Sequence, residues 1–165
     1  MRYLIVLILV SLGLQGCSTP AFIKDAADWV VPSGDKIQWR SLQLQPQVNA
    51  NQNSPIAIDL VLALDQITAD KLEALTGAQW HAQREALLPG LQGMVVIRRF
   101  ELTPGNGLQM TESDLPKERA MRVLVFAHMK AETPGRLRLN PKVRQVVIEI
   151  GETDLSLRTD PSPRP

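Results

Sequence analysis

The cysteine and the histidines are the side chains best suited to nucleophilic or metal chemistry, and this sequence has few of them. The 165-residue chain contains one cysteine, Cys17, and two histidines, His81 and His128. A single cysteine cannot form a disulfide within its own chain. His81 is followed by Glu85 in the stretch HAQRE, which lacks the second histidine of a zinc-binding helix motif. The sequence therefore predicts no metal site, and Cys17 needs another explanation.

The spacing of the other reactive groups does not bring them together. Glu112 and Asp114 are close in sequence, but the segment around them has the composition of a solvated loop. The chain has no Gly-x-Ser-x-Gly motif, no P-loop and no glycine-rich stretch suited to holding a phosphate. We therefore predict no catalytic residues, no cofactor and no small-molecule substrate, and we expect that the protein is not an enzyme.

The balance of charge argues against nucleic acid as a partner. The chain has 18 Lys and Arg against 17 Asp and Glu, a net charge of +1, and only 4% aromatic residues. Proteins that bind nucleic acid or anionic lipid over a broad surface carry a basic excess. The balance leaves room for a local charged patch. Arg98 and Arg99 lie in a predicted strand, and we interpret them as charges that pair at or guard a sheet edge rather than as an anion site.

The N-terminal residues have the features of an export signal. Arg2 supplies a positive charge, and an apolar run follows at residues 4–14. This run has the length of a signal-peptide core and is shorter than the roughly 20 residues that cross a bilayer as a helix. Gly16 provides the small residue that a cleavage site requires. We therefore predict a signal peptide over residues 1–16 and a mature chain that begins at Cys17.

The residues around the predicted cleavage site account for the single cysteine. Leu14-Gln15-Gly16-Cys17 resembles the lipobox of bacterial lipoproteins. The resemblance implies a diacylglycerol on the Cys17 thiol and an acylated amino group, which would fasten the chain to a lipid bilayer. Ser18 in place of aspartate implies, by resemblance to enterobacterial sorting, delivery to the periplasmic face of the outer membrane. The alternative is an incidental or buried cysteine in the tail of a signal peptide.

The first part of the mature chain predicts two strands joined by a polar loop. Pro55–Leu64 alternates between apolar residues on one face and smaller or polar residues on the other. Lys36–Gln45 alternates in two registers, which we interpret as a bulge near Arg40–Ser41. The segment Gln45–Ser54 between the two strands is rich in Asn and Gln, and we interpret it as a long hairpin loop.

Residues 69–88 predict a helical insert after the second strand. Asp70 followed by Glu73 has the spacing of a capping box, and Thr76 followed by Gln79 offers a second helix start. We therefore predict either two short helices or one kinked helix. A further set of residues at helical spacing is interpreted as a packing stripe rather than a ligand site: Trp80, Arg84 and Leu87.

The second half of the chain returns to strands. The stretch AMRVLVFAHMK at 120–130 is apolar on both faces, which is typical of a central strand. Several other short strands are separated by turn signals at about ten-residue spacing. The pattern predicts a mainly β fold over residues 36–158, an antiparallel two-sheet sandwich with a short helical insert. A lipidated tether over 17–35 and a disordered tail over 159–165 flank this domain.

The order of these features resembles that of the TssJ lipoproteins of the type VI secretion system. After the lipobox come SPIAIDLVLAL, the helical insert, ELTPG, RVLVFAHMK and VRQVVIEIGETDLSL. The resemblance implies a transthyretin-like sandwich with a structural role in the secretion membrane complex. It also implies a partner, the periplasmic part of the inner-membrane protein TssM. By position, the loop residues implied in that contact are Gln45, Gln47, Asn49, Asn51, Gln52 and Asn53.

Two other functional classes remain open from the residues themselves. One is a different envelope-assembly lipoprotein, such as a pilotin, that binds another export component. The other is a small periplasmic enzyme or ligand-binding module, for which a deep pocket with converging polar side chains would be needed. The sequence contains no motif that favours the second class.

Overall fold

Strands dominate residues 34–158, the part of the chain that the computed structural model describes. In spatial order, the first sheet consists of β10 (Leu155–Arg158), β9 (Gln145–Ile150), β2 (Ser41–Pro46) and β5 (Leu108–Thr111). The second sheet consists of β4 (Val95–Leu102), β3 (Ile56–Ala63), β7 (Arg122–Ala127) and β8 (Arg136–Leu139). A separate short pair consists of β1 (Asp35–Lys36) and β6 (Arg119–Ala120).

The predicted fold class, a mainly β sandwich with a helical insert, is confirmed. Within the two sheets every pairing is antiparallel except that of β2 with β9, which is parallel. The prediction did not include this parallel pair. The signal peptide 1–16, Cys17, nearly all of the tether and the tail 159–165 lie outside the described residues.

The main core lies between the two sheets, and strand alternation explains it. On β3, Ile56, Ile58 and Leu60 are at most 1% exposed and belong to this core. The opposite sheet contributes Leu42 from β2 and Ile148 from β9, which are equally buried. Because successive side chains of a strand point to opposite faces, every second residue of these strands faces this core. The alternation predicted for residues 55–64 is therefore confirmed.

A second core covers the outer face of the second sheet. It contains Val61 of β3 together with Leu124 and Phe126 of β7, all fully buried beneath helices. The centre of the sheet is formed by β3 and β7, which are apolar on both faces because both faces are covered. The prediction that 120–130 contains a central strand is confirmed.

Two helices form the insert, α1 (Gln66–Glu73) and α2 (Gly77–Leu87), followed by a 3-10 turn at Leu88–Leu91. The predicted start at Asp70 is wrong, because the side chain of Asp65 accepts from Thr68 N at 2.9 Å and begins the helix earlier. The predicted start at Thr76 is confirmed as a capping box. The helices are separate because the chain leaves helical geometry between them.

The residues of the predicted packing stripe do face the second sheet. Trp80 is fully buried, and its ring stacks on Phe126 with centroids 5.1 Å apart. Leu87 packs at the margin of the same core. Arg84 contributes an ion pair, because its guanidinium lies 2.9 Å from the carboxylate of Asp59. The prediction is confirmed, and the ion pair is an addition to it.

The register change near Arg40–Ser41 takes a different form from the predicted bulge. The chain leaves the sheet after β1 and joins β2 only at Ser41, so two strands replace one. Arg40 N and Ser41 N both donate to Arg144 O, at 2.7 and 3.4 Å. Trp39 lies in the irregular segment, where its indole nitrogen donates to Asn140 O. Trp39 and Leu42 are both buried because they belong to different elements.

The strands run between two ends of the sandwich. Four loops meet at one end, which we call the loop end: residues 47–55, 103–107, 128–135 and 151–154. The described chain begins at the other end, which we call the N-terminal end: residues 34–40, 112–119 and 140–144. The segment Gln45–Ser54 leads from the first sheet to the second, so the prediction of a hairpin loop is wrong. Hairpin strands would be neighbours in one sheet.

Candidate functional site

The loop that joins β2 to β3 has a left-handed backbone turn. Asn51, Gln52 and Asn53 have φ angles of 49, 53 and 58°. L-residues in this region cost about 1–2 kcal/mol each, although asparagine tolerates it best. Three such residues in succession persist only where neighbouring structure holds them. The loop therefore has a specified shape rather than that of a solvated connection.

The side chain of Asn51 supplies much of that support. It is 2% exposed, although it lies in a run of polar residues. Its Nδ2 donates to Pro55 O at 2.9 Å, and its Oδ1 accepts from Lys130 N at 2.6 Å. Its backbone N donates to Gly151 O at 3.1 Å. One asparagine thus joins three of the four loops, and its buried side-chain amide is satisfied by backbone groups at both of its polar atoms.

Other contacts complete the set of loops. Gln47 N donates to Ile150 O at 2.9 Å, and Gln47 O accepts from Gly105 N at 3.0 Å. The side chain of Asn49 donates to the carboxylate of Glu152 at 3.0 Å. Each of the four loops is therefore bonded to at least one other. Such a surface is largely preorganised, which reduces the entropy lost when a partner binds.

The exposed residues of the loop form its accessible surface. Val48 is 82% exposed, the largest fraction among the exposed large apolar side chains of the described residues. Gln47, Gln52 and Asn53 are exposed beside it. Val48 is not among the sequence-predicted contact residues, because the many Asn and Gln residues around it dominate the composition of the loop. The signal was a single branched apolar residue within a polar run.

The structure divides the six sequence-predicted contact residues into two groups. Gln47, Gln52 and Asn53 are exposed and accessible to a partner. Gln45 lies in β2, where its side chain bonds to Gln43, and Asn49 is half-buried against Glu152. Asn51 is buried, so the structure assigns it to support of the loop rather than to its surface. The contact role predicted for these residues stays a prediction, and the exposed Gln47, Gln52 and Asn53 are the ones a partner could reach directly.

The two histidines, distant in sequence, lie together against the second sheet. Their ring centroids are 5.5 Å apart. Arg84 Nη1 lies 3.2 Å from His81 Nδ1, and His81 Nε2 lies 3.4 Å from Phe126 O. Because arginine only donates, Nδ1 is the acceptor and Nε2 carries the proton. Both ring nitrogens of His81 are occupied, so His81 is not a ready metal ligand.

Burial lowers the pKa of His81, and the nearby Arg84 and His128 lower it further. The carboxylate of Asp59 and the carbonyl of Phe126 oppose that shift. Asp59 is 1% exposed and accepts from Trp80 Nε1 at 2.8 Å as well as from Arg84. This network fixes α2 on the sheet. No group of three metal-ligating side chains occurs within residues 34–158.

A shallow cavity of about 210 Å³ lies beside this network at the start of β3. It is lined by Pro55, Ile56, Ala57, Glu101 and His128. One carboxylate and one imidazole face it, without a nucleophile among the lining residues.

No helix in the described part of the chain is long and apolar enough to cross a bilayer.

Comparison with known proteins by sequence gives no match. No protein-family model matches the chain, and no curated protein matches it. The fold, in contrast, has counterparts among solved structures. The membrane-bound type VI secretion component Lip of Serratia marcescens aligns with a TM-score of 0.52 and 18% identity, over 75% of this chain and 98% of Lip.

Two further structures give the same result. The type VI lipoprotein TssJ1 of Pseudomonas aeruginosa aligns with a TM-score of 0.51 and 17% identity, over 74% of this chain and 96% of TssJ1. A chain of a type VI membrane complex aligns with a TM-score of 0.53 and 18% identity, over 74% of this chain and all of that one. The chain therefore has the β-sandwich fold of the TssJ lipoproteins of type VI secretion.

Proposed function

We propose that this protein is a divergent TssJ-type lipoprotein of a type VI secretion membrane complex. It is anchored by Cys17 to the periplasmic face of the outer membrane. Its loop end binds the periplasmic part of a TssM-like inner-membrane protein. The observation that carries the proposal is the position of the preorganised loops, at the opposite end of the sandwich from Gly34.

The arrangement of the two ends supports a bridging role. The predicted anchor precedes Gly34, and the strands then carry the chain away from that end to the loop end. With the anchor on the side of Gly34, the loop end stays free to contact a partner in the periplasm. Anchoring also raises the effective concentration of the loops near a partner in the opposite membrane.

The chemistry of the loop end supports protein binding. Val48 offers an exposed apolar side chain on a backbone that Asn51 holds in place. The four loops contain one lysine against three acidic residues, a net charge of −2 with neutral His128. Binding interfaces place an apolar contact within a polar rim, and charge complementarity accelerates association. A partner surface with a small apolar pocket and basic neighbours fits this end.

A pull-down with two matched variants tests the proposal. Val48→Asp should remove the TssM-type protein recovered with the lipoprotein from detergent-solubilised envelope. Ile67→Asp, on a 69% exposed residue at the start of α1, is the control and should retain it. Both variants should unfold within about 0.5 kcal/mol of the parent, since each changes an exposed side chain.

The identity of the recovered protein decides between functional classes. A TssM-type protein that persists with Val48→Asp would overturn the assignment of the loop end. Recovery of a different export component, lost with Val48→Asp, would favour a pilotin-like role. Neither variant alters a buried residue, so loss of binding reports on the surface.

A further inference from the structure

The N-terminal end of the sandwich carries a cluster of cations. Segments 34–40, 112–119 and 140–144 contain six Lys and Arg against four Asp and Glu, a net charge of +2. The loops at the opposite end have a net charge of −2. The molecule therefore has a charge difference along its strands, although its total charge is only +1.

Five of these cations lie around the segment where the described chain begins, and we call them the basic face: Lys36, Arg40, Arg119, Lys142 and Arg144. Backbone contacts hold them close, because Arg40 N donates to Arg144 O at 2.7 Å and Lys36 lies opposite Arg119. The Nζ of Lys142 forms an ion pair with Oδ1 of Asp35 at 3.0 Å. Within residues 34–158, Lys36, Arg40 and Arg144 make no ion pair.

Exposed apolar side chains occur at the same end. Val143, 36% exposed, lies between Lys142 and Arg144 at the tip of a turn. Ile67 and Met94 are 69% and 45% exposed where β3 ends and β4 begins. An apolar residue flanked by cations is suited to a membrane interface, where the apolar group enters the headgroup region and the cations meet phosphates.

We propose that the basic face rests on a membrane surface and binds anionic phospholipid headgroups, with Val143 entering the interface. This inference rests on the proposed anchor at Cys17. Sixteen residues, 18–33, separate Cys17 from Gly34 and span at most about 55 Å when extended. An anchor with that reach does not orient the domain. The basic face orients it and directs the loop end into the periplasm.

The basic face needs only a small binding free energy for the lipid surface in order to orient the domain. A cation close to an anionic lipid surface improves binding by roughly fivefold. Because the anchor already keeps the domain near the bilayer, a few such contacts suffice to select one orientation. A weak contact also lets the domain leave the surface when a partner moves.

Site-specific fluorescence on the acylated, full-length mature protein tests the inference. Cys17 is the only cysteine and carries lipid in the proposed protein, so an introduced cysteine can be labelled alone. Val143→Cys reports on the N-terminal end, and Val48→Cys reports on the loop end. Each labelled protein is reconstituted in phosphatidylcholine vesicles, with or without phosphatidylglycerol, that contain a lipid with a headgroup quencher.

The expected result is strong quenching at position 143 in anionic vesicles and little quenching at position 48 in either kind of vesicle. Because the basic face contains several cations, quenching at position 143 should be at least about fivefold weaker in neutral vesicles. Lys142→Glu combined with Arg144→Glu should abolish quenching at 143. Lys130→Glu, at the loop end, should leave it unchanged. Equal quenching at positions 48 and 143 would overturn the inference, and so would quenching at position 143 that is the same in anionic and neutral vesicles.

Flotation of the same vesicles separates the two proposals. Protein that fails to float with the vesicles would refute the anchor, and the orientation would fail with it. Protein that floats without quenching at position 143 would leave the anchor intact and refute the basic face alone.

Discussion

Asn51 accepts and donates the hydrogen bonds on which the loop end depends. An asparagine in a run of polar residues predicts a solvated loop, yet this one is buried and bonded to two other loops. Its short amide suits the position because asparagine adopts the left-handed backbone conformation more readily than most residues do. Support of the loop and the proposed contact with a partner therefore belong to different residues of the same segment.

Asn51→Ala should lower the free energy of unfolding by about 2–4 kcal/mol. The change leaves Lys130 N and Pro55 O without partners. It also places alanine at a positive φ, where no side-chain hydrogen bond offsets the backbone strain. Asn53→Ala, at φ 58° but exposed, is the matched control and should cost about 1 kcal/mol. Urea unfolding measures both. Equal losses would show that the amide of Asn51 contributes nothing beyond its backbone preference.

His81 makes the stability of the sandwich depend on pH. Its pKa lies below its ordinary value of 6.5, chiefly because of burial. Between the two values the unfolded chain binds more protons, so stability is complete above pH 6.5 and falls as pH falls through the folded pKa. The carboxyl groups of Asp65, Glu73 and Asp114 titrate lower, since hydrogen bonds from Thr68, Arg122 and Thr111 lower their pKa values.

Chemical denaturation at pH 7.5 and pH 5.5 tests this expectation. The parent should lose stability toward the lower pH, and His81→Gln should lose less. NMR titration of the His81 ring, which reports its pKa directly, serves as the independent measurement. A ring that titrates at or above 6.5 would contradict the argument.

Helix α2 depends on a close approach that only glycine permits. A Cβ on Gly77 would collide with the carbonyl oxygens of Ala127 and Gly135. Gly77 N also donates to Pro134 O at 2.7 Å, which fixes the start of the helix against the loop after β7. The position of α2 is therefore set by backbone contact at its first residue and by Trp80 and Arg84 along its length.

Gly77→Ala should destabilise the protein by about 1–3 kcal/mol, because the helix start must move away from the sheet. Gly90→Ala is the control, since nothing lies within 4 Å of the position its Cβ would take. That variant should be neutral or slightly stabilising. Thermal and urea unfolding compare the two, and similar values would mean that α2 shifts at no cost.

The edge strand β4 also has a specific feature. Arg98 lies opposite Leu60 and thus on the inner face of the second sheet, yet it is exposed because β4 is an outer strand. A charge directed inward at an edge hinders the addition of another strand. This agrees with the interpretation of Arg98 as a guard residue. Arg99, on the other face, lies 3.5 Å from Glu85 of α2.

At the scale of the whole molecule, the two ends of the sandwich have separate tasks in the proposed function. The basic face and the beginning of the described chain share one end, and the preorganised loops occupy the other. The strands between them form a rigid spacer, because two cores cover both faces of the second sheet. Rigidity allows attachment at one end to position the other.

Cys17→Ser tests the attachment itself. The substitution should abolish acyl labelling and move the protein from the membrane fraction to the soluble periplasm, because each buried CH₂ of an acyl chain contributes about 0.8 kcal/mol. Mass spectrometry of the parent should find acyl groups at its N-terminus. Unchanged fractionation of the variant would contradict the anchor, whatever the behaviour of the loop end.

The sequence alone determined the features that depend on local pattern. The alternation in Pro55–Leu64 showed which residues of β3 share a face, and the Thr76–Gln79 spacing fixed the start of α2. The apolar run before Cys17 predicted an export signal by the same kind of local evidence. These features depend on residues within a few positions of one another, whose periodicity is visible in one dimension.

The tertiary structure decided what depends on contacts between distant residues. Alternation does not state which sheet a strand joins, so the crossing from β2 to β3 was mistaken for a hairpin. The burial of Asn51 depends on Lys130 and Gly151, and the contact of His81 with His128 depends on the meeting of α2 with β7. Only the folded chain brings such residues within bonding distance, because pairing between strands and helices is not encoded in local periodicity.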